Sequence, residues 1–432
     1  AERVEPRPRV VVVGAGFGGL AVARGLQGTA VEVTVIDANN FHTFQPLLYQ
    51  VATSGLDDEN VAYAVRGIIR PRRGRRPNVA FRMARVVVVD VDQRHVELDD
   101  GARVPYDVLV LGAGAVSHDY GTPGVEDHAF PLKHVDDALA LRAHVLANFE
   151  RAAADPSLIA DGTLDVVVCG GGPTGVEMAG GLHELYHMVL AKDFPLLPVG
   201  DARIVVVEMG DRLLAPFTPM SSERARRTLV RRGVDVLFGV GVSAVEPGRV
   251  HLTDGSSIRA GTVVWATGVV AEPVAATVGT PIGRGGRLVV EADLSLPGHP
   301  EVFAVGDIAA SPGPDGAPLP QVAQPAIQGG RHVARQILRR LAGQPTEPFE
   351  YHDKGQMATI GRRDAVAELA NGWRLGGTIG WLSWLGLHLA YLIGFRNRIV
   401  VVVNWVWSYI TYDRASRILR ESERDEDPVR SP

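Results

Sequence analysis

Two glycine-rich turns, Gly14-Ala15-Gly16-Phe17-Gly18-Gly19 and Gly170-Gly171-Gly172-Pro173-Thr174-Gly175, each follow a run of β-branched residues. Each reads G-x-G-x-x-G, and each precedes a segment rich in Ala, Leu, Glu and Met. One such turn is weak testimony, but a strand before and a helix after make it a dinucleotide fingerprint. Gly14 and Gly170 permit the tight turn, Gly16 and Gly172 let a pyrophosphate approach the backbone, and Gly19 and Gly175 let helix and strand pack closely. The phosphates then rest on unpaired helix N-terminal amides. Arg9–Val13 and residues 165–168 are expected as buried parallel strands, so the chain is expected to hold two dinucleotides.

Each copy also has an acid at the end of its next strand. Glu32-Val33-Thr34-Val35-Ile36-Asp37 places a carboxylate 23 residues after Gly14, where it can accept from ribose hydroxyls. In the second copy, residues 203–207 lead to Glu208, 38 residues after Gly170. The usual spacing is about 20, so the intervening helix runs long or carries an insertion such as residues 193–199. A carboxylate at Glu208 repels a 2′-phosphate, which favours NADH over NADPH.

The duplication continues. Val108-Leu109-Val110-Leu111-Gly112-Ala113-Gly114 and Val263-Val264-Trp265-Ala266-Thr267-Gly268 are apolar strands ending in small-residue turns. Gly114 lies 100 residues after Gly14, and Gly268 lies 98 after Gly170. Val302-Phe303-Ala304-Val305-Gly306-Asp307 can aim a carboxylate at a ribityl or pyrophosphate hydroxyl. In this order the motifs resemble the two-dinucleotide-binding flavoproteins. That resemblance implies an α/β fold of two Rossmann-like domains, the NADH domain inserted in the FAD domain, with FAD held non-covalently at the first site and NADH as substrate at the second. The implied domains are residues 9–118 and 291–345 for FAD, 119–163 as a crossover containing a helix at Val135–Ala154, 164–290 for NADH, and 346–432 as a C-terminal membrane-anchoring region. The implied cofactor residues are Gly14, Gly16, Gly19, Asp37, Gly114, Gly306 and Asp307, with Gly170, Gly172, Gly175, Glu208 and Gly268 for the nucleotide.

Composition narrows the acceptor. The 432 residues carry 44 basic and 49 acidic side chains, a balance that argues against nucleic acid as a partner. The first nine residues contain no apolar h-region, so no secretory signal is expected there. Cys169 is the single cysteine. Thiol–disulfide exchange needs two sulfurs, which excludes the disulfide-reducing and sulfide-oxidising relatives. Cys169 itself is expected to be a small buried side chain. No metal-ligand cluster is expected.

Residues 379–395 and 399–412 are two apolar runs, each shorter than the ~20 residues of a spanning helix. They are separated by Arg396-Asn397-Arg398. Five of the six tryptophans, Trp373, Trp381, Trp384, Trp405 and Trp407, fall in or beside them. Interfacial tryptophans and nearby arginines, including Arg414, Arg417 and Arg420, suggest a helical pair lying in a membrane surface. A homodimer interface or a core helix pair is the alternative use of the same apolar surface.

Gln45-Pro46-Leu47-Leu48-Tyr49-Gln50-Val51-Ala52-Thr53-Ser54-Gly55 resembles the flavin-side stretch of the type II NADH dehydrogenases, with one extra residue before the glycine. Ala323-Gln324-Pro325-Ala326-Ile327-Gln328 is similar to that family's quinone-site signature, and Lys354-Gly355 to its flavin-side loop. The resemblance implies a single-subunit NADH:quinone oxidoreductase that pumps no protons and sits on the cytoplasmic face of the inner (cell) membrane. It implies that Gln50 and Thr53 lie beside the flavin, that Gln324 and Gln328 serve the quinone, that Lys354 supports reduced flavin, and that Glu177 contacts nicotinamide or relays a proton. Gln324 and Gln328 are i and i+4, hence on one helix face, and an amide meets a carbonyl without bringing charge. Pro325 suits the first helical turn. A soluble NADH-dependent reductase of a small redox protein and a non-catalytic membrane-bound nucleotide sensor are the alternatives. Arg66, Arg70, Arg72, Arg73, Arg75 and Arg76 are expected in a solvated loop, and residues 420–432 in a disordered tail.

Overall fold

The computed structural model describes residues 7–71, 77–411 and 416–419. Most of the arginine-rich loop and the tail from 420 onward lie outside the described residues. The chain packs as two compact units, Ala1–His42 with Tyr63–Val116 and Val269–Asp353, and Thr43–Ala62 with Ser117–Gly268 and Lys354–Pro432.

In the first unit, five parallel strands and one antiparallel edge form a sheet. From edge to edge they are Ser295–Leu296, His299–Ala304, Val108–Leu111, Arg9–Val13, Glu32–Asp37 and Val79–Met83. Arg9–Val13 pairs in parallel with both neighbours, and its Val-rich run is buried on both faces, as an internal parallel strand requires. The fingerprint helix Phe17–Gly25 packs on Ala323–Leu341. A Cβ on Gly330 would stand 2.3 Å from the Gly18 carbonyl oxygen, so the close approach of these helices depends on glycine.

The second unit repeats the plan. Its sheet runs Phe130–Pro131, Thr262–Trp265, Val166–Cys169, Ile204–Glu208, Val234–Phe238, all parallel. In both sheets the strand entering the glycine turn lies between the acid-ending strand and the strand leading to the small-residue turn. Each unit also has a three-stranded antiparallel sheet before that last strand: Val86–Asp90, His95–Leu98 and Arg103–Pro105 in one, Val242–Glu246, Arg249–Leu252 and Ser257–Arg259 in the other. The internal duplication therefore reaches beyond the motifs that signal it.

Several details differ from the sequence reading. Residues 43–62, expected with the FAD part, pack in the second unit, where Leu48–Ala52 lies against Val135–Ala154 and Pro173–Glu184. Residues 269–290, assigned to the NADH part, pack in the first. The long spacing to Glu208 arises from both expected causes. The fingerprint helix Pro173–Glu184 continues through a π-helical segment, Leu185–Leu190, and a short turn at Ala191–Asp193, before a loop at 194–198. Arg396-Asn397-Arg398 does not separate the C-terminal helices. They span Gly377–Tyr391 and Phe395–Thr411, and the break is at 392–394, where Gly394 has φ +92°. No described helix is long and apolar enough to cross a membrane.

Candidate functional site

The first glycine turn is built around three different steric needs. Gly14 has φ +97°, and a Cβ there would lie 2.2 Å from the Gly112 carbonyl oxygen. On Gly19 a Cβ would fall 1.9 Å from the Gly14 carbonyl oxygen, whereas on Gly16 it would meet nothing within 4 Å. The first and third glycines are thus packed by protein, and the second faces open space of the kind a pyrophosphate needs. The Asp37 carboxylate accepts from the Ala15 amide at 2.6 Å and the Asn39 amide at 2.8 Å, so it supports the loop from the strand end. His42 lies beneath, with Nδ1 2.9 Å from the Ala15 carbonyl oxygen, so Nδ1–H donates. Burial pushes its pKa down to about 4, and Nε2 is buried with no partner among the described residues. The open space at Gly16, at the start of the fingerprint helix, fits the pyrophosphate of FAD. Gly306 begins the turn Gly306–Ile308, in which the Asp307 carbonyl accepts from Gln321 Nε2 at 3.0 Å. The Arg287 guanidinium, also buried, donates to the Ala309 and Leu319 carbonyls and braces the same turn. Gly114 also has open space at its Cβ position.

The second turn reproduces the first. A Cβ on Gly170 (φ +106°) would lie 2.5 Å from the Ala266 carbonyl oxygen, on Gly175 1.9 Å from the Gly170 oxygen, and on Gly172 in open space. The Glu208 carboxylate accepts from the Gly171 and Gly210 amides, each at 2.6 Å. At Gly268 the backbone passes beneath the Tyr120 hydroxyl, 2.3 Å from where a Cβ would stand. Cys169 is fully buried at the strand end, and burial pushes its thiol up to about 12, consistent with an inert packing role.

Glu177 lies in the first turns of Pro173–Glu184, and part of its surface remains accessible. Protein still surrounds it deeply enough that burial pushes its carboxyl up to about 8, while the hydrogen bond from the Thr359 amide and the nearby Trp384 indole pull it back. The Thr359 amide lies 3.2 Å from Glu177 Oε1. This carboxyl is therefore protonated at neutral pH, and near pH 8 it can give or take a proton. Tyr49 and Trp384 stand near it in the same unit, and Trp384 in turn neighbours the rings of His388 and Trp405. Trp384 packs edge-on to Tyr49 at 6.2 Å and stacks on His388 at 4.0 Å. None of these four was singled out from the sequence as a site residue. The tryptophans were read as interfacial, yet Trp381, Trp384 and Trp405 are buried, and among the five only Trp373 and Trp407 are largely exposed.

The remaining candidates fall as follows. Gln50 is buried, accepting from Trp405 Nε1 at 2.8 Å and donating to the Tyr49 hydroxyl at 2.9 Å. Thr53 Oγ1 donates to the Tyr49 carbonyl at 2.8 Å. Both side chains make these bonds within the second unit. Gln324 and Gln328 lie half-buried in the helix Ala323–Leu341, with Pro325 in its first turn. Gln328 spends both ends of its amide on the His352 backbone, donating at 2.9 Å and accepting at 3.1 Å. These bonds tie the helix to the chain at 352. Lys354 Nζ donates to the Tyr391 hydroxyl at 3.2 Å. Among the described residues no cluster of three metal-ligating side chains occurs.

Comparison with known proteins agrees with this geometry. Residues 8–330 match the pyridine nucleotide-disulphide oxidoreductase family, and residues 353–412 match the NDH2 C-terminal domain. The chain is 38% identical to the type II NADH:quinone oxidoreductase NdhA of Mycobacterium tuberculosis, covering 94% of this chain and 87% of that protein. It is 33% identical to the type II NADH:quinone oxidoreductase of Staphylococcus aureus, over 84% of this chain and 90% of that one. The fold superposes on NDH2 of Plasmodium falciparum, solved in complex with NADH, with a TM-score of 0.87 at 19% identity, covering 95% and 99% of the two chains. Two glycine cradles with their strand-end acids, followed by a matching C-terminal domain, place this chain in the type II NADH:quinone oxidoreductase family.

Proposed function

We propose that the protein transfers two electrons from NADH, through non-covalent FAD, to a membrane quinone without pumping protons. The observation that carries this reading is the pair of matched cradles, in which Gly16 and Gly172 alone among the fingerprint glycines face open space and Asp37 and Glu208 hold the loops. In the first, Gly14, Gly16, Gly19, Asp37, Gly114, Gly306 and Asp307 hold FAD, which supplies the hydride-accepting and electron-donating chemistry. In the second, Gly170, Gly172, Gly175, Glu208 and Gly268 hold NADH. Glu177 keeps a proton available in a water-poor setting, Lys354 offsets negative charge, and Gln324 donates to the quinone.

The C-terminal helix pair supports a membrane acceptor. On Phe395–Thr411, Ile399, Val402, Val403, Val406, Trp407 and Ile410 are exposed, at the i, i+3, i+4, i+7 spacing of one helix face. On the opposite side Val401 and Trp405 are buried. A helix with apolar residues on its outer face needs a cover, and a lipid interface supplies one. We infer peripheral attachment at the cytoplasmic face of the cell membrane.

The test is spectroscopic. NADH should bleach the flavin absorbance of the purified protein, and a quinone should restore it. Reoxidation by a small redox protein but not by a quinone would transfer the function to a soluble-type reductase. Failure of NADH to bleach the flavin would leave a nucleotide sensor. Cosedimentation with vesicles should be lost when the outward face of Phe395–Thr411 is made polar.

A further inference from the structure

Trp384, His388 and Tyr391 occupy positions i, i+4 and i+7 of the helix Gly377–Tyr391, hence one face. Trp384 is buried, and the half-buried His388 ring stacks on it at 4.0 Å with the planes 26° apart. Phe44 meets the same imidazole edge-on at 6.2 Å. His388 Nδ1 lies 2.7 Å from the Trp384 carbonyl oxygen. A carbonyl can only accept, so Nδ1 carries the hydrogen and Nε2 carries a lone pair. Burial pushes the imidazole down to about 4, although the bond to Trp384 opposes this, so Nε2 is bare at neutral pH. No described protein group bonds it.

An acceptor-only nitrogen within an aromatic wall selects ligands by hydrogen-bond polarity. The two redox forms of a quinone differ in that respect. The oxidised headgroup presents carbonyls, which only accept, so a bare Nε2 meets them lone pair to lone pair. The reduced headgroup presents hydroxyls, which donate. The flat ring of either form suits the aromatic surface. One turn away on the same face, the Lys354 ammonium at Tyr391 is a donor and so of opposite polarity.

We propose that His388 Nε2 accepts a hydrogen bond from a hydroxyl of the reduced quinone headgroup, making this helix face a product-selective subsite. The proposal rests on the quinone acceptor reading above. His388 is then a specificity-determining residue that holds quinol more tightly than quinone, and electron transfer itself does not depend on it.

The test uses the full-length, FAD-loaded enzyme in detergent, with a short-tailed benzoquinone and its quinol as probes. His388→Phe keeps the stacked ring and removes the nitrogen. Inhibition by added quinol should weaken about fivefold to tenfold, as expected for one lost hydrogen bond. KM for the quinone should stay within about twofold on the same ground, and the single-turnover rate of flavin reduction by NADH should not change. His388→Gln, which keeps an acceptor, should recover part of the quinol inhibition. Unchanged quinol inhibition in His388→Phe, or equal loss of quinone and quinol affinity, overturns the proposal. If His388→Phe fails to load FAD, the comparison passes to His388→Gln against His388→Leu, and equal quinol inhibition in those two overturns it instead. A wild-type enzyme that quinone cannot reoxidise refutes the acceptor reading itself, a result visible before any variant is made.

Discussion

The indole of Trp405 donates to Gln50 Oε1 at 2.8 Å, joining residues 355 positions apart in a buried contact. Gln50 passes the connection to Tyr49, and Asn404 donates to Asn60 Oδ1 at 2.8 Å nearby in sequence. The last helix is therefore seated on residues 43–62 by directional polar contacts on its inner side, while its outer side is apolar. Replacing Trp405 by Phe leaves Gln50 Oε1 buried without its donor, which costs about 1–3 kcal/mol. The denaturant midpoint should fall accordingly, and FAD content should be retained. An unchanged midpoint would show that this bond does not seat the helix.

The glycine roles separate by substitution. Gly14→Ala, with its methyl 2.2 Å from a backbone oxygen and φ +97°, should prevent folding of the first unit. Gly16→Ala meets no protein atom within 4 Å and should fold, yet load FAD poorly because the methyl occupies the cradle. Gly172→Ala should keep FAD and raise KM for NADH by roughly tenfold or more, as a misplaced methyl in a fitted site does. Flavin content and NADH titration of the three purified variants check this ordering.

His42 ties acid stability to the first cradle. Its pKa is pushed from 6.5 in the unfolded chain to about 4 by burial, so the unfolded state binds the extra proton first. The stability it contributes is present above about pH 6.5 and is lost as pH falls towards 4. His42→Asn should flatten this part of the profile. Unfolding midpoints between pH 7 and 4 that fall equally in wild type and variant would remove His42 as the source.

Glu177 has the opposite sign. Its folded pKa of about 8 lies above the ordinary 4.5, so the folded state binds the proton more tightly. Its contribution is fully present below pH 4.5 and declines as pH rises to about 8. Glu177→Gln carries no titratable proton, so the variant should gain stability relative to wild type across that rise. Parallel unfolding profiles from pH 5 to 9 would show that this carboxyl is not protonated in the folded protein.

The readings that held from sequence alone are local ones. Gly14, Gly16 and Gly19 belong to one turn, and their separate roles follow from covalent geometry over six residues. A run such as Val10 to Val13 has only one use as a strand, because β-branched side chains on both faces demand burial on both. Asp37 and Glu208 were readable as strand-end acids for the same reason. Their hydrogen bonds to Ala15 and Gly171 were not, since a spacing does not reveal which amides a carboxylate meets.

Tertiary structure decided what each shared residue type was for. Trp373 and Trp384 are alike in composition, but one is exposed and the other is buried against Tyr49 and His388. Gln324 and Gln328 share a helix face, and only packing of the chain at His352 commits the second amide as a brace. The sequence by itself determined two Rossmann-like sheets and which glycines of each turn are packed and which stand open, because those depend on neighbouring residues along the chain. The surroundings that raise Glu177, leave His388 neutral and seat Trp405 on Gln50 come from segments more than a hundred residues apart, so only the packed chain could decide them.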